Sequence, residues 1–331
     1  MLRLFAVLVV LAVIAFGAYV WESANFAAVG PTAARGASET DVVIKSGVGL
    51  KGIAQELHDA GVVENPLLFE LGVRLRRMTP GLKAGEYAIP SKASMLDIMD
   101  ILISGKTVEH KITVAEGLTS DMVAKLVIAD PVLVGPIGAT PSEGTLLPQT
   151  YLFTRGTSRT QIVSRMQTAQ HELIAKLWPK RMPDLPLKSP QEAVTLASIV
   201  EKETSLPEER RHIAAIFVNR LRLGMKLQSD PTVIYAISRG YPLGHGIRQS
   251  ELTRATPYNT YLVAGLPPTP ICNPGADSLE AVLDPGTSKD LYFVASGNGG
   301  HVFSATIAEQ LKNVAALRAR ERAQKAALEH N

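Results

Sequence analysis

The order of apolar and polar residues begins with an apolar run at the N-terminus. Residues 4–21 carry no charged side chain, and as a helix they would cover about 27 Å, close to the hydrocarbon thickness of a bilayer. A cleaved signal peptide usually has a shorter apolar run, although the small residues after Glu22 leave that alternative open. We expect residues 1–23 to form a cytoplasmic tip and a single-pass transmembrane anchor. Arg3 favours a cytoplasmic N-terminus, which places the bulk of the chain outside the cytoplasm.

A linker and a small subdomain are predicted next. Residues 24–40 are small and contain Gly, Pro and Ser, which is typical of a tether. Over 41–90 the pattern predicts the order strand, helix, helix, strand, and a further amphipathic helix ends near Ser104. We therefore predict a subdomain over 41–107. Its element order loosely resembles a LysM-like domain, a family that recognises polymers containing N-acetylglucosamine, and a generic α+β packing unit is an equally good interpretation.

The remaining elements predict a larger α+β domain over 108–315 and a helical tail over 316–331. The predicted fold class is therefore α+β, with an N-terminal transmembrane helix, a small LysM-like subdomain and a larger second domain. With 46% hydrophobic and 20% charged residues the chain is globular, and a net charge of +3 gives no indication of nucleic-acid binding. Cys272 is the single cysteine, and we expect a buried, unreactive thiol.

A helix predicted after Pro190 contains two glutamates two positions apart. Leu196, Ile199 and Val200 form one apolar stripe, and Glu203 occupies the next position on it. Glu201 lies roughly 160° away around the helix, on the side that water reaches. A carboxyl group on an apolar stripe has its pKa raised by burial, which suits a general acid. Two glutamates near a helix end are more often solvated or paired with Lys or Arg, and this segment alone favours that interpretation.

Several classes of chemistry lack their sequence signatures. The seven histidines show no HExxH or other paired metal-ligand spacing, so we predict no metal. There is no GxSxG motif, phosphate-binding loop or dinucleotide fingerprint, and we expect no cofactor.

Two polar clusters in the C-terminal half are candidates for binding sugars. Residues 226–237 contain Gln228 and Asp230, and residues 255–275 are rich in Tyr, Asn, Thr and Pro, including Tyr258 and Asn259. Aromatic rings beside amides suit sugars, which offer hydroxyl groups to hydrogen-bond and apolar faces to stack. From composition alone, a structural loop held by prolines is the favoured interpretation.

Five segments in order give a specific resemblance to a known family. They are EGTLLPQTYLF (143–153), ASIVEKET (197–204), VNRLRLGMKLQSDPTVIY (218–235), PYNTYLVAGLPPTPICNPG (257–275) and LYFVASGNGGHVFSAT (291–306). The chain resembles the YceG/MltG family of endolytic murein transglycosylases. The resemblance implies cleavage of the β-1,4 bond between N-acetylmuramic acid and N-acetylglucosamine in nascent peptidoglycan strands, leaving a 1,6-anhydromuramic end. It also implies that Glu203 is catalytic and that peptidoglycan synthases such as penicillin-binding proteins are partners.

This reaction requires one carboxyl group, because the C6 hydroxyl of the sugar attacks its own anomeric carbon. Glu203 is the expected acid and then base, and Gln228, Asp230, Tyr258 and Asn259 are the expected substrate-binding residues. Two alternatives remain open at this point. One is a non-catalytic peptidoglycan-binding scaffold that uses the LysM-like unit. The other is a hydrolase in which Asp230 or Glu201 serves as the second carboxylate.

Overall fold

The computed structural model describes residues 2–329, without the side chains of residues 2, 35 and 325–329. Met1 and the last two residues of the predicted tail, 330 and 331, lie outside the described residues. The helices are α1 (Leu2–Phe26), α2 (Leu50–Asp59), α3 (Pro66–Leu75), α4 (Met95–Ser104), α5 (Ser120–Ala129), α6 (Arg159–Leu177), α7 (Pro190–Glu203), α8 (Pro207–Arg222), α9 (Asp230–Ser238), α10 (Gln249–Leu252), α11 (Ala276–Leu283) and α12 (Ile307–Glu329). The strands are β1 (Glu39–Ile44), β2 (Gly85–Pro90), β3 (His110–Thr113), β4 (Thr150–Phe153), β5 (Tyr292–Ala295) and β6 (His301–Ser304).

The chain forms two compact units of mixed helix and strand, so the α+β class is confirmed. The first unit contains the residues up to 111 and the segment 152–157, and the second contains 112–151 and the residues from 158 onward. The sheets within the described residues are the pairs β1–β2, β3–β4 and β5–β6. Helices therefore supply most of the framework, and the strands form local ribbons.

The first unit has the element order predicted from the sequence. Strand β1 pairs antiparallel with β2, from Glu39 opposite Pro90 to Ile44 opposite Gly85. Helices α2 and α3 connect the two strands, and α4 follows β2. Tyr87 of β2 is fully buried in the core that these elements share.

Helix α1 is long and apolar enough to cross a membrane, with a mean hydropathy of 2.6, and the same properties fit a signal sequence. Its C-terminal end differs from the predicted linker, because the helix continues to Phe26, which is buried against Phe69. Glu22 is also buried, and its carboxylate accepts a hydrogen bond from Arg76 at 2.9 Å. Gly72 permits this approach, since a Cβ there would lie 2.3 Å from the Phe26 ring. The apolar run does not reveal this packing, which depends on α3.

Helix α7 is the central helix of the second unit. Ser189 caps its N-terminus by accepting the Glu192 N–H at 3.2 Å, and Pro190 occupies the first turn, where no N–H partner is required. All residues from Ala193 to Val200 are buried. Helices α8, α9 and α11 pack around α7, so the helix that ends at Glu203 is fixed on several sides.

Residues 205–208 have the spacing of a capping box, but helix α8 starts differently. Leu206 is the N-cap residue and has no side-chain cap, while the Thr204 hydroxyl accepts the Leu206 N–H at 3.0 Å. Helical periodicity places Arg210 and Arg220 mostly off the apolar face of α8, yet both are buried. Arg210 pairs with Asp277 at 2.9 Å, and Arg220 donates to two backbone carbonyls on other segments. Helical periodicity does not reveal such partners.

Candidate active site

Glu203 is the last residue of α7, at the point where the chain leaves the buried helix. Its Oε1 accepts a hydrogen bond of 2.5 Å from the hydroxyl of Ser229, which immediately precedes α9. Ser229 is almost completely buried, whereas part of the Glu203 side chain reaches solvent. The buried Ser229 hydroxyl thus fixes the carboxyl group of Glu203, which remains partly accessible to solvent.

Burial raises the pKa of Glu203 to about 7, and the negative charge of Asp230 adds to this effect. The Ser229 hydrogen bond and the positive charges of His301 and Arg220 act in the opposite direction. A carboxyl group with this pKa is protonated in a large fraction of molecules at neutral pH and also ionises readily. Both properties suit a group that donates and then accepts a proton.

The segment that carries Ser229 is fixed by neighbouring hydrogen bonds. The N–H groups of Gln228 and Ser229 donate to the carbonyl and hydroxyl oxygens of Thr260, at 3.1 and 3.0 Å. Gln228 has a φ of 49°, in the left-handed region that non-glycine residues rarely occupy. Its side chain is exposed beside the site. Backbone strain of this kind is consistent with a functional segment.

Asp230 and Asn259 have different environments, although both were predicted to bind substrate. Asp230 is exposed, and its Oδ1 accepts a hydrogen bond of 2.6 Å from the Tyr261 hydroxyl. Asn259 is buried, and its amide donates to the carbonyls of Leu252 and Arg254 and accepts the Tyr261 N–H. Asn259 therefore supports the loop that presents Tyr261.

Tyr258 lies in an aromatic cluster at the other end of α9. Its ring is 5.0 Å from that of Tyr235, and the Arg239 guanidinium lies over both rings at 5.4 and 5.8 Å. The Tyr258 hydroxyl is 2.8 Å from that of Thr269. Tyr258 is partly exposed, so one part of this stack reaches solvent.

Sequence reasoning missed three side chains that act on Glu203. Ser229 lies between Gln228 and Asp230, two residues that were predicted to bind substrate. Its position in the loop immediately before α9 was the one sequence feature that could have indicated it. Arg220 donates to the carbonyls of Leu291 and Leu227, at 2.6 and 2.5 Å, and only the fold brings it toward Glu203. His301 lies in the GNGGHVFSAT segment that contributed to the family resemblance, but no local pattern connects it with α7.

Glu201 points to a different set of contacts. Its Oε2 accepts the Gly275 N–H at 2.9 Å. Glu116, whose pKa is raised by burial and by the charge of Glu201, lies nearby and is 3.9 Å from Arg210. Glu201 thus connects the end of α7 with the start of α11.

Glu143 is a further carboxyl group with a raised pKa. Burial raises its pKa to about 7, against the hydrogen bond from the Ser120 backbone and the charge of Arg239. Both of its oxygens accept the Ser120 N–H, at 3.2 and 3.1 Å, at the start of α5. The sequence signal for Glu143 was its place in the EGTLLPQTYLF segment.

The described residues contain no group of three or more His, Cys, Asp or Glu side chains arranged to hold a metal ion. Cys272 is buried, and its thiol donates to the Ser198 carbonyl at 3.3 Å. Burial raises the pKa of this thiol, so the prediction of an unreactive cysteine agrees with its environment.

Comparison with known proteins places these residues in a family. The sequence model of the YceG-like family matches residues 42–316. The chain is 30% identical over 303 residues to the endolytic murein transglycosylase of Bacillus subtilis (strain 168), covering 82% of this chain and 83% of that protein. It is 28% identical over 346 residues to the endolytic murein transglycosylase of Streptococcus pneumoniae, covering 90% of this chain and 62% of that longer protein.

A solved structure agrees with this result. The crystal structure of a YceG-like protein from Listeria monocytogenes superposes with a TM-score of 0.54 at 33% sequence identity, covering 83% of this chain and 98% of the other. The chain belongs to the YceG-like family.

Proposed function

We propose that this protein is a membrane-anchored endolytic transglycosylase that cleaves peptidoglycan strands and leaves 1,6-anhydromuramic ends. The observation that carries the proposal is Glu203, a partly buried carboxyl group with a pKa near 7 and a hydroxyl donor on one oxygen. The relatives named endolytic murein transglycosylases support the reaction class. The enzyme is accordingly a lyase that needs no cofactor.

In the first step the protonated carboxyl group of Glu203 donates its proton to the glycosidic oxygen between N-acetylmuramic acid and N-acetylglucosamine. The bond from the anomeric carbon to that oxygen breaks, and its electron pair leaves with the N-acetylglucosamine. Ser229 keeps its hydrogen bond to Oε1 and stabilises the carboxylate that forms.

In the second step the C6 hydroxyl of the muramic residue attacks the anomeric carbon, and the Glu203 carboxylate takes the hydroxyl proton. The new bond closes the 1,6-anhydro ring, and Glu203 returns to its protonated form. No water enters the reaction. An intramolecular nucleophile gains from proximity, which explains how one carboxyl group suffices.

The exposed polar groups near Glu203 bind the glycan in this proposal. Gln228 and Asp230 flank Ser229, and the negative charge of Asp230 favours the positive charge that develops at the anomeric carbon. Tyr258 offers an aromatic surface for a sugar farther along the strand. Asn259 acts indirectly, because its amide is fully engaged in positioning the loop.

The location follows from the N-terminal helix. With α1 as an uncleaved anchor and Arg3 on the cytoplasmic side, the site acts on nascent glycan outside the inner membrane. The strand–helix–helix–strand order of residues 39–90 supports a LysM-like role in holding the glycan. Peptidoglycan synthases, including penicillin-binding proteins, are the expected partners, because they supply the nascent strands.

The test is product analysis with uncrosslinked glycan strands. The full chain in detergent should release fragments with anhydromuramic ends, identified by mass spectrometry, and Glu203→Gln should release none. Glu201→Gln is the matched control on the same helix and should retain most of the activity. Fragments with reducing ends would support a hydrolase, and binding without cleavage would support a scaffold. Either result would overturn the proposal.

A further inference from the structure

An imidazole–carboxylate pair connects the β5–β6 hairpin with the start of α8. His301 Nδ1 lies 2.7 Å from Glu209 Oε2, and the His301 backbone N–H donates to Oε1 at 2.8 Å. An ionised carboxylate only accepts hydrogen bonds, so Nδ1 carries a proton. The two side chains are 18% and 13% exposed, respectively. Glu209 therefore fixes both the position and the tautomer of His301.

The same carboxylate contacts the residue after Glu203. The Thr204 hydroxyl donates to Glu209 Oε2 at 3.3 Å. Gly300 allows the hairpin to approach, since a Cβ there would lie 2.8 Å from Glu209 Oε1. A continuous set of contacts thus runs from His301 through Glu209 to Thr204, next to the candidate catalytic carboxyl group.

The charge of His301 reaches Glu203. Burial is the largest influence on the pKa of Glu203 and raises it, and the charge of Asp230 does the same. The hydrogen bond from Ser229 and the charges of His301 and Arg220 lower it. Glu209 is ionised beside His301: burial opposes its ionisation, but the hydrogen bonds from His301 hold the pKa of Glu209 below its usual range.

We propose that Glu209 and His301 are positioning residues that hold an imidazolium charge beside Glu203 and stabilise the carboxylate it becomes after proton donation. The catalytic consequence rests on the proposed function. A carboxyl group whose pKa is raised by burial alone is a weak proton donor, because its ionised form is unstable. A nearby cation lowers that barrier, and the hairpin docked on α8 keeps the cation in place.

The test is the pH profile of glycan cleavage by the full chain in detergent. The alkaline limb of kcat/KM reports loss of the protonated Glu203, so removing a nearby cation moves it upward. His301→Gln should raise this limb by about half a pH unit or more and lower kcat about tenfold. Glu209→Gln should raise it as well, because this variant removes the carboxylate that fixes the imidazole and balances its charge. In the variant that combines both substitutions, the alkaline limb should shift no further than in His301→Gln alone.

His212 supplies the matched control. Its Nε2 lies 2.7 Å from Asp290 Oδ2, and its ring stacks 3.9 Å from that of Phe303 in the same hairpin. His212→Gln should lower the melting temperature and leave the alkaline limb in place. The inference is overturned if His301→Gln reduces activity without moving the limb, or if His212→Gln moves it equally.

A measurement without activity separates this inference from the proposed function. If the wild type releases no anhydro ends, the proposed function fails, but the charge coupling can still be measured from melting temperatures at about pH 7. At that pH, Glu203→Gln removes a partly buried negative charge and should raise the melting temperature. The gain should be larger in the His301→Gln background, where that charge lacks its cation. Equal gains in both backgrounds would overturn the coupling whatever the activity shows.

Discussion

At the residue scale, the environment of Glu203 couples chemistry to stability. Its pKa in the folded state is about 7, above the ordinary value of 4.5 that it has when unfolded. A raised pKa contributes stability that is fully present below the unfolded value and is lost as the pH rises through the folded value. The wild type is therefore expected to lose stability between about pH 5 and pH 8 through this group.

Glu203→Gln should remove that loss. Above pH 7 the variant should be more stable than the wild type by up to about 3 kcal/mol, and near pH 4 the two should be similar. Chemical unfolding at several pH values measures this difference. Glu201→Gln is the control, and an equal pH-dependent gain in that variant would contradict the account of Glu203.

The strained backbone at Gln228 gives a second prediction at this scale. Gln228→Gly removes a left-handed non-glycine residue, with a φ of 49°, and should leave the free energy of unfolding unchanged or raise it by up to about 1 kcal/mol. Loss of the exposed amide should lower kcat/KM for glycan cleavage several-fold. A glycine variant with full activity would show that the Gln228 side chain does not contact the substrate.

Sequence reasoning reaches some residues of this candidate site and not others. Glu203 was selected because its position on the stripe of α7 is a local property. Ser229, His301 and Arg220 were missed because they reach Glu203 through tertiary contacts that no local periodicity encodes. For Asn259 the residue type suggested sugar binding, but the side chain is buried and supports the loop. Residue type alone does not show whether a side chain reaches the substrate.

At the element scale, the end of α1 packs against α3, although composition predicted that residues 24–40 form a linker. Gly72 lies where a Cβ would be 2.3 Å from the Phe26 ring and 2.7 Å from the Glu22 carboxylate. Gly72→Ala should destabilise the first unit by about 1–3 kcal/mol through overpacking. Gly17→Ala is the control on α1, because nothing lies within 4 Å of a Cβ there. Hydrogen exchange in α3 and β2 measures the effect, and equal protection in both variants would contradict the contact.

The predicted order of strands and helices in the first unit was confirmed because each element carries its own periodicity. The start of α8 does not follow the local capping signal. The sequence SLPE has capping-box spacing, yet Leu206 is the N-cap, and the Thr204 hydroxyl accepts the N–H of Leu206. Glu209 holds both Thr204 and His301 at this junction, and the contact with His301 is not encoded in the local sequence.

At the scale of the whole molecule, α1 serves both as an apolar helix and as part of the first unit. Phe26 is buried, Arg76 lies 4.1 Å from its ring, and the Arg76 guanidinium also binds the buried Glu22. A truncated chain that begins at residue 22 keeps these contacts, whereas one that begins at residue 28 loses them. Both should leave the membrane fraction, and only the shorter chain should show a lower melting temperature for the first unit. Equal melting temperatures would contradict the packing of α1 against α3.

The central claim for the whole molecule is that one carboxyl group cleaves glycan without water. Cleavage in heavy-oxygen water tests it most directly, because a hydrolase places the labelled oxygen at the new reducing end. The account predicts that wild-type products carry anhydromuramic ends without label and that Glu203→Gln gives no products. Label in the new ends, or anhydro products from Glu203→Gln, would contradict it.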